Sequence, residues 1–82
     1  MKIIYTGDFE RLKEFGFEKT LKNKKFLYVW KNKFFVDVIE INAKTREIVN
    51  LGDRNGNVIL YNLIQAGLVK KEEEWNIFTN IK

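Results

Sequence analysis

The stretch 17–51 constrains the fold most, because apolar and polar side chains alternate along it with a period of two. Alternation of this kind is typical of half-buried β-strands, and turn-forming residues interrupt it at 22–25, 32–33 and 42–45. We therefore predict four consecutive strands in this stretch, joined by short connections as an antiparallel meander.

A short helix is predicted before the meander. Phe9, Leu12 and Phe15 recur at three-residue spacing behind a short apolar strand at 2–5, and Gly16 follows as a C-terminal glycine should. A second helix is predicted after the meander, over 58–66, because apolar side chains return there to helical spacing.

The second helix has its own boundary signals. Asn57 is the expected N-cap and Gly67 the residue beyond the C-terminal end, and an extended piece begins at Leu68. Runs of strands flanked by helices argue for the α+β class. We expect one domain over 1–82, with an antiparallel meander of four to five strands and both helices packed on one face.

Pairing the strands through these turns separates two faces of the sheet. If residues 32–33 form a two-residue loop, Trp30 lies opposite Phe35. One face is aliphatic and is expected to lie under the helices; it carries Leu27, Val29, Val36, Val38, Val49 and Leu51. The other face is aromatic and is interrupted by polar groups; it carries Phe26, Tyr28, Trp30, Phe35, Asp37, Ile39, Ile41, Arg46, Ile48 and Asn50.

The aromatic face has two interpretations. It is either an exposed binding surface, as apolar patches of this size commonly are, or it is covered by the amino-terminal strand or the apolar segment 75–78. Asp37 on this face is either paired with Arg46 or a nearby lysine, or it contacts a partner.

The missing residue types limit the chemistry. The chain has no cysteine, proline or histidine, and it also lacks serine, so thiolate nucleophiles, serine-based triads, zinc fingers and histidine switches are excluded. The loop 52–57 spaces oxygen-bearing side chains like a calcium loop but lacks the closing glutamate, which favours a plain strand-to-helix turn. We expect no enzyme, no metal and no cofactor.

The net charge of +4 is concentrated in one segment. Residues 19–33 carry six lysines and no acid, while the rest of the chain has slightly more acidic than basic residues. A polyanionic partner would explain the excess. An AT-rich codon bias would explain it equally well, since lysine, asparagine and isoleucine are all abundant.

This lysine segment and Phe35 just after it form the candidate site for a protein or nucleic-acid partner: Lys22, Lys24, Lys25, Phe26, Tyr28, Trp30, Lys31, Lys33 and Phe35. Alternate aromatic residues could stack on bases while the lysines follow phosphates. Lysines beside an apolar strand also protect sheet edges from aggregation. A homodimer formed through an exposed edge or face is a further alternative.

Three segments give the chain a resemblance to known proteins: the opening MKIIYTGDFERLKEFGFEK, the strand start Thr45-Arg46-Glu47-Ile48, and NLIQAGLVKKEEE near the end. Together they resemble small accessory proteins encoded by phages and prophages of low-GC Gram-positive bacteria. The resemblance implies a cytoplasmic location in the host cell and an accessory role, such as blocking a host or defence protein as anti-CRISPR proteins do. The +4 charge differs from that of acidic DNA mimics. No apolar run reaches the roughly 18 residues needed to span a bilayer, so we expect no membrane partner.

Overall fold

A computed structural model describes residues 2–52 and 54–72 and has an α+β fold, as predicted. Four strands form an antiparallel sheet in sequence order: β2 (Glu18–Lys22), β3 (Lys25–Lys31), β4 (Asp37–Asn42) and β5 (Ile48–Asn50). The remaining elements are β1 (Lys2–Tyr5), a 3-10 helix (Phe9–Phe15), α1 (Arg54–Gln65) and β6 (Val69–Glu72). The predicted segment 75–78 lies outside the described residues.

Both helices end at the glycines that the sequence predicts for their C-terminal ends. At the end of the 3-10 helix, Gly16 N donates to Lys13 O and Phe17 N donates to Leu12 O. At the end of α1, Gly67 and Leu68 make the corresponding bonds to Ile64 O and Leu63 O. These are Schellman motifs, which satisfy the last carbonyls of a helix and turn the chain back toward the core.

The two terminal strands of the described chain form a small sheet of their own beside β5. β1 pairs antiparallel with β6, and an isolated bridge between Ile4 and Glu47 joins β1 to the segment before β5. The Arg46 side chain fixes this junction, because its guanidinium donates to Tyr5 O at 3.2 Å and to Gly7 O at 2.8 Å. Arg46 adopts a φ of 68°, so the chain turns here and β5 begins only at Ile48.

The register of the meander differs from the prediction, whereas most side chains of its strands lie on the predicted faces. Trp30 pairs with Ile39 instead of Phe35, a shift of four residues, and Ile41 pairs with Ile48 instead of Arg46, a shift of two. The prediction of a two-residue loop at 32–33 is wrong, because the five residues 32–36 connect β3 to β4. Both shifts are even, and an even shift keeps regularly paired side chains on their own faces. The exceptions lie at a β-bulge opposite Trp30 and Lys31, where Asp37 approaches Lys22 and Val38 joins the core.

The core lies on the face that we considered as a binding surface. Ile39, Ile41 and Ile48 are buried there with Leu12 of the 3-10 helix and Leu63 of α1, so both helices pack on this face. The expectation that the helices cover the aliphatic face is therefore wrong. That face also carries Glu18, Lys25, Glu40 and Asn42, which makes it the more polar side of the sheet.

Tyr5 belongs to this core and is the largest fully buried side chain among the described residues, and it gives the fold a response to alkaline pH. Its hydroxyl donates to Asp8 O at 2.6 Å, and burial raises the pKa of Tyr5 above the ordinary value of a tyrosine, while Arg11 and Arg46 act to lower this pKa. Because its pKa is higher in the folded state, protonated Tyr5 stabilises the fold at every pH below the pKa of the unfolded-state tyrosine. This stabilisation is lost as the pH rises through the pKa of Tyr5 in the folded state.

We therefore expect the variant Tyr5→Phe to lose about 1 kcal/mol of unfolding free energy at pH 7, because the hydrogen bond disappears. The difference from the wild type should narrow above pH 10, where only the wild-type tyrosine ionises on unfolding. Urea denaturation at pH 7 and at alkaline pH measures both effects. A difference that stays constant or widens with pH would contradict the burial of this hydroxyl.

Candidate functional site

The nine predicted site residues fall into three groups. The end of the β2–β3 hairpin carries Lys22, Lys24, Lys25 and Phe26; the face of β3 that meets the core carries Tyr28 and Trp30; the loop after β3 carries Lys33 and Phe35, with Lys31 at its start. The structure therefore does not bring the nine residues together into one surface.

Tyr28 and Trp30 are half-buried under the 3-10 helix. The Tyr28 ring stacks on Phe9 with 4.6 Å between ring centroids and 10° between planes. The Trp30 indole lies against Gly16, where an added Cβ would come within 3.2 Å of the indole nitrogen. The interpretation that these rings form part of a free aromatic face is wrong, because Phe9 and Phe15 pack against the same face of the sheet and bury their apolar surface there.

The β2–β3 hairpin end is exposed but partly neutralised. The Lys22 ammonium lies 3.1 Å from a Glu40 carboxylate oxygen and 3.5 Å from one of Asp37, and the bond to Glu40 raises the pKa of Lys22. Asp37 is thus paired with a lysine, as one alternative predicted, and not with Arg46. The Asp37 side chain lies beside Lys22 and Glu40 and not on the aromatic face. A β-bulge interrupts the pairing next to it, between Trp30 and Lys31.

Phe26 is the one aromatic residue of the predicted stacking row that is open to solvent, with 54% of its surface exposed. The Lys19 ammonium lies 5.0 Å from the centroid of the Phe26 ring, close enough for a cation–π contact. Lys19 was missed as a site residue because it belongs to the neighbouring strand, and only the β2–β3 register places it beside Phe26.

The loop 32–36 is an exposed segment with several internal hydrogen bonds. Asn32 organises it: the side-chain oxygen accepts from Phe34 N at 2.8 Å and from Val36 N at 3.1 Å. The Asn32 backbone also exchanges bonds with this loop, accepting from Phe35 N and donating to Val36 O. Four hydrogen bonds within five residues tie residues 34–36 to Asn32.

The side chains that this loop presents are apolar. Phe34, Phe35 and Val36 are exposed to 71%, 83% and 55%, and Lys33 places its ammonium 5.3 Å from the Phe34 ring centroid. Phe35 lies beside a shallow recess of about 200 Å³, which Gly16, Glu18, Val29 and Lys31 also line.

The backbone at Phe35 is strained. Its φ is 62°, a left-handed conformation that costs a residue with a side chain on the order of 1–3 kcal/mol. Phe34 and Val36 were not predicted as site residues, because the stretch 34–41 is rich in Phe, Val and Ile and was assigned to a strand. The available signal was Asn32, whose side chain can satisfy the backbone of a turn two residues on.

Comparisons with protein-family models, with curated proteins and with solved structures find no match to this chain. Within the described part of the chain, no helix has the length and apolar character needed to cross a membrane. The class that these observations define is therefore that of an α+β fold with an organised apolar loop at one end of its sheet.

Proposed function

We propose that this chain is a non-enzymatic protein-binding module that inserts Phe34 and Phe35 into a recess on its partner. One observation carries the proposal: two phenylalanines are exposed to more than two thirds on a loop that hydrogen bonds hold in place. These two rings are not part of the hydrophobic core of the protein. A contact with a partner would gain about 1.5–3 kcal/mol for each ring that it buries.

The order of the loop supports the same proposal. A loop that is already fixed by Asn32 loses little conformational entropy on binding, so more of the burial energy appears as affinity. The strained φ of Phe35 fits this interpretation, because strain in a native structure is concentrated at sites that bind or react. Lys31 and Lys33 flank the rings and favour a partner recess with an acidic rim.

The resemblance to phage and prophage accessory proteins supports a bacterial host protein as the partner. Inhibition of that protein is the role we propose, because insertion of two rings into a recess blocks whatever the recess normally receives. The loop, and not the half-buried Tyr28 and Trp30, is then the contact surface.

The test compares proteins retained by three immobilised forms of the chain from a lysate of a low-GC Gram-positive host. The wild type is compared with the loop variant Phe34→Ala/Phe35→Ala and with the control variant Val58→Ala/Tyr61→Ala, whose side chains are exposed to a similar extent on α1. We expect a host protein that the wild type and the control retain and the loop variant does not. Equal retention by all three forms would overturn the proposal.

A second candidate function, nucleic-acid binding, is favoured by the lysines around Phe26. Lys19, Lys24 and Lys25 are exposed near one accessible ring, so a strand of nucleic acid could meet one stacking platform and a few cations. Tyr28 is covered and Lys22 is paired with carboxylates, which leaves a smaller site than the sequence predicts.

We therefore expect weak, salt-sensitive binding of single-stranded DNA at most, and the variant Phe26→Ala should weaken it by about 1–3 kcal/mol, the worth of one stacked base, which is roughly 5- to 150-fold in affinity. Fluorescence anisotropy at several salt concentrations measures the affinity and its salt dependence. A tight complex with a steep salt slope would instead favour nucleic acid as the main partner.

A further inference from the structure

Strand β2 lies at the edge of the four-stranded sheet and is exposed along its whole length. Its inner side pairs with β3 from Glu18 to Lys22, and all five of its residues are exposed. No strand among residues 2–52 and 54–72 pairs with its outer side. A row of backbone N–H and C=O groups at such an edge can accept another strand.

The turn determines which backbone groups of β2 point outward. Asn23 and Lys24 have φ values of 52° and 65°, the positive pair of a two-residue hairpin turn that closes on Lys22 and Lys25. Residues of an antiparallel strand alternate in the direction of their backbone groups. Lys22, Thr20 and Glu18 therefore bond toward β3, while Leu21 and Lys19 direct their N–H and C=O to the open edge.

We propose that a second copy of this chain pairs with β2 in antiparallel orientation, about a two-fold axis at Thr20. In this register Lys19 of one copy lies opposite Leu21 of the other, so the outward backbone groups of both strands meet in hydrogen-bonded pairs. Thr20 lies opposite Thr20, a favourable cross-strand pair. The two sheets then join into one continuous sheet of eight strands.

Charge selects this register over its neighbours. Glu18 of one copy lies opposite Lys22 of the other, and the two-fold axis repeats this pair, which gives two ion pairs on one face. Centring the axis on Lys19 would set two lysines against each other, and centring it on Leu21 would leave Lys22 opposite Thr20.

The Lys22 ammonium can bind carboxylates of its own chain and of the second copy at the same time. An ammonium has three N–H donors, and the carboxylates of Glu40 and Asp37 take two of them. The third remains for Glu18 of the second copy. Because the paired segment is five residues long, we expect a small interface and a weak dimer that forms at high protein concentration.

Sedimentation velocity over about 10 µM to 1 mM, a range that brackets weak association, tests the proposal. We expect the wild type to pass from monomer to dimer and Leu21→Pro to stay monomeric. Proline at position 21 removes an outward N–H and leaves the bonds to β3 intact, as proline does on edge strands. Circular dichroism checks that the variant folds; a folded Leu21→Pro that dimerises like the wild type overturns the proposal.

A charge reversal gives an independent test that does not rely on proline. Glu18→Lys should weaken dimerisation at least tenfold, whereas Glu14→Lys, an equal charge change at an exposed position of the 3-10 helix, should leave it unchanged. A wild type that stays monomeric over the whole range, or equal effects of the two reversals, would overturn the proposal. The loop variant Phe34→Ala/Phe35→Ala should dimerise normally, because β2 does not include the loop.

Discussion

Replacement of Ile41 with alanine is expected to lower the free energy of unfolding by about 2–5 kcal/mol, the usual cost of truncating a fully buried isoleucine. Ile41 has no exposed surface and lies on β4 between its partners Tyr28 on β3 and Ile48 on β5. Leu12 and Leu63 belong to the same core, so no neighbouring element is free to fill the space. A domain of this size has only about 5–15 kcal/mol of stability in total, and the loss is correspondingly large.

The control is Val49→Ala on the opposite face of the sheet, where the side chain is 43% exposed. We expect this variant to lose less than about 1 kcal/mol, because nearly half of the Val49 surface stays in water in the folded state. Urea denaturation of both variants gives the two free energies under identical conditions. The reverse order, with Val49→Ala the costlier change, would mean that the helices cover the other face.

Removal of the Phe35 ring is expected to have opposite effects on binding and on stability. Phe35→Gly should weaken the complex with the partner by about 2 kcal/mol or more, roughly 30-fold, if the ring fills a pocket at the centre of the interface. The same variant should leave the stability of the free chain unchanged or raise it, because glycine adopts the observed φ of 62° without strain.

Affinity for the purified partner, measured by calorimetry, and urea denaturation of the free variant give the two results side by side. Val58→Ala is the control, since its side chain is 59% exposed on α1, away from the loop. It should change neither quantity much. A Phe35→Gly variant that binds as tightly as the wild type would show that the ring does not contact the partner.

Much of the fold could be predicted because local patterns and tertiary packing agree. The two helices end at Gly16 and Gly67 as the sequence indicates, and the α+β class with its order of elements is confirmed. Most of the predicted separation of the two sheet faces is correct in spite of the wrong turns, because both errors in register were even. Asp37 and Val38, at the β-bulge, are the exceptions within the strands.

The start of α1 could not be predicted from propensity alone. Gly56 disfavours a helix, so the sequence placed 52–57 in a loop with Asn57 as the N-cap, whereas α1 begins at Arg54. A Cβ at position 56 would lie 2.8 Å from Val38 Cγ1 and 2.7 Å from Asn50 Oδ1. Packing of the helix against the sheet requires a glycine here, and that requirement is visible only when both elements are in place.

Local sequence patterns also do not determine which face of the sheet the helices cover. Aromatic rings interrupted by polar residues are typical of binding surfaces and of cores alike, and the outcome depends on where Phe9 and Leu12 pack. The loop 32–36 was predicted only in part, because Lys33 and Phe35 were identified as site residues while residues 34–36 were all assigned to a strand.

The central claim is that the loop 32–36 contacts a protein partner, and site-specific photo-crosslinking tests it most directly. A photoreactive phenylalanine analogue would replace Phe35 in one sample and Tyr61, on the exposed face of α1, in another. Irradiation in host lysate is predicted to give one discrete crosslinked species from position 35 and none of the same mass from position 61. The same crosslinked species from both positions, or none from position 35, would contradict the account.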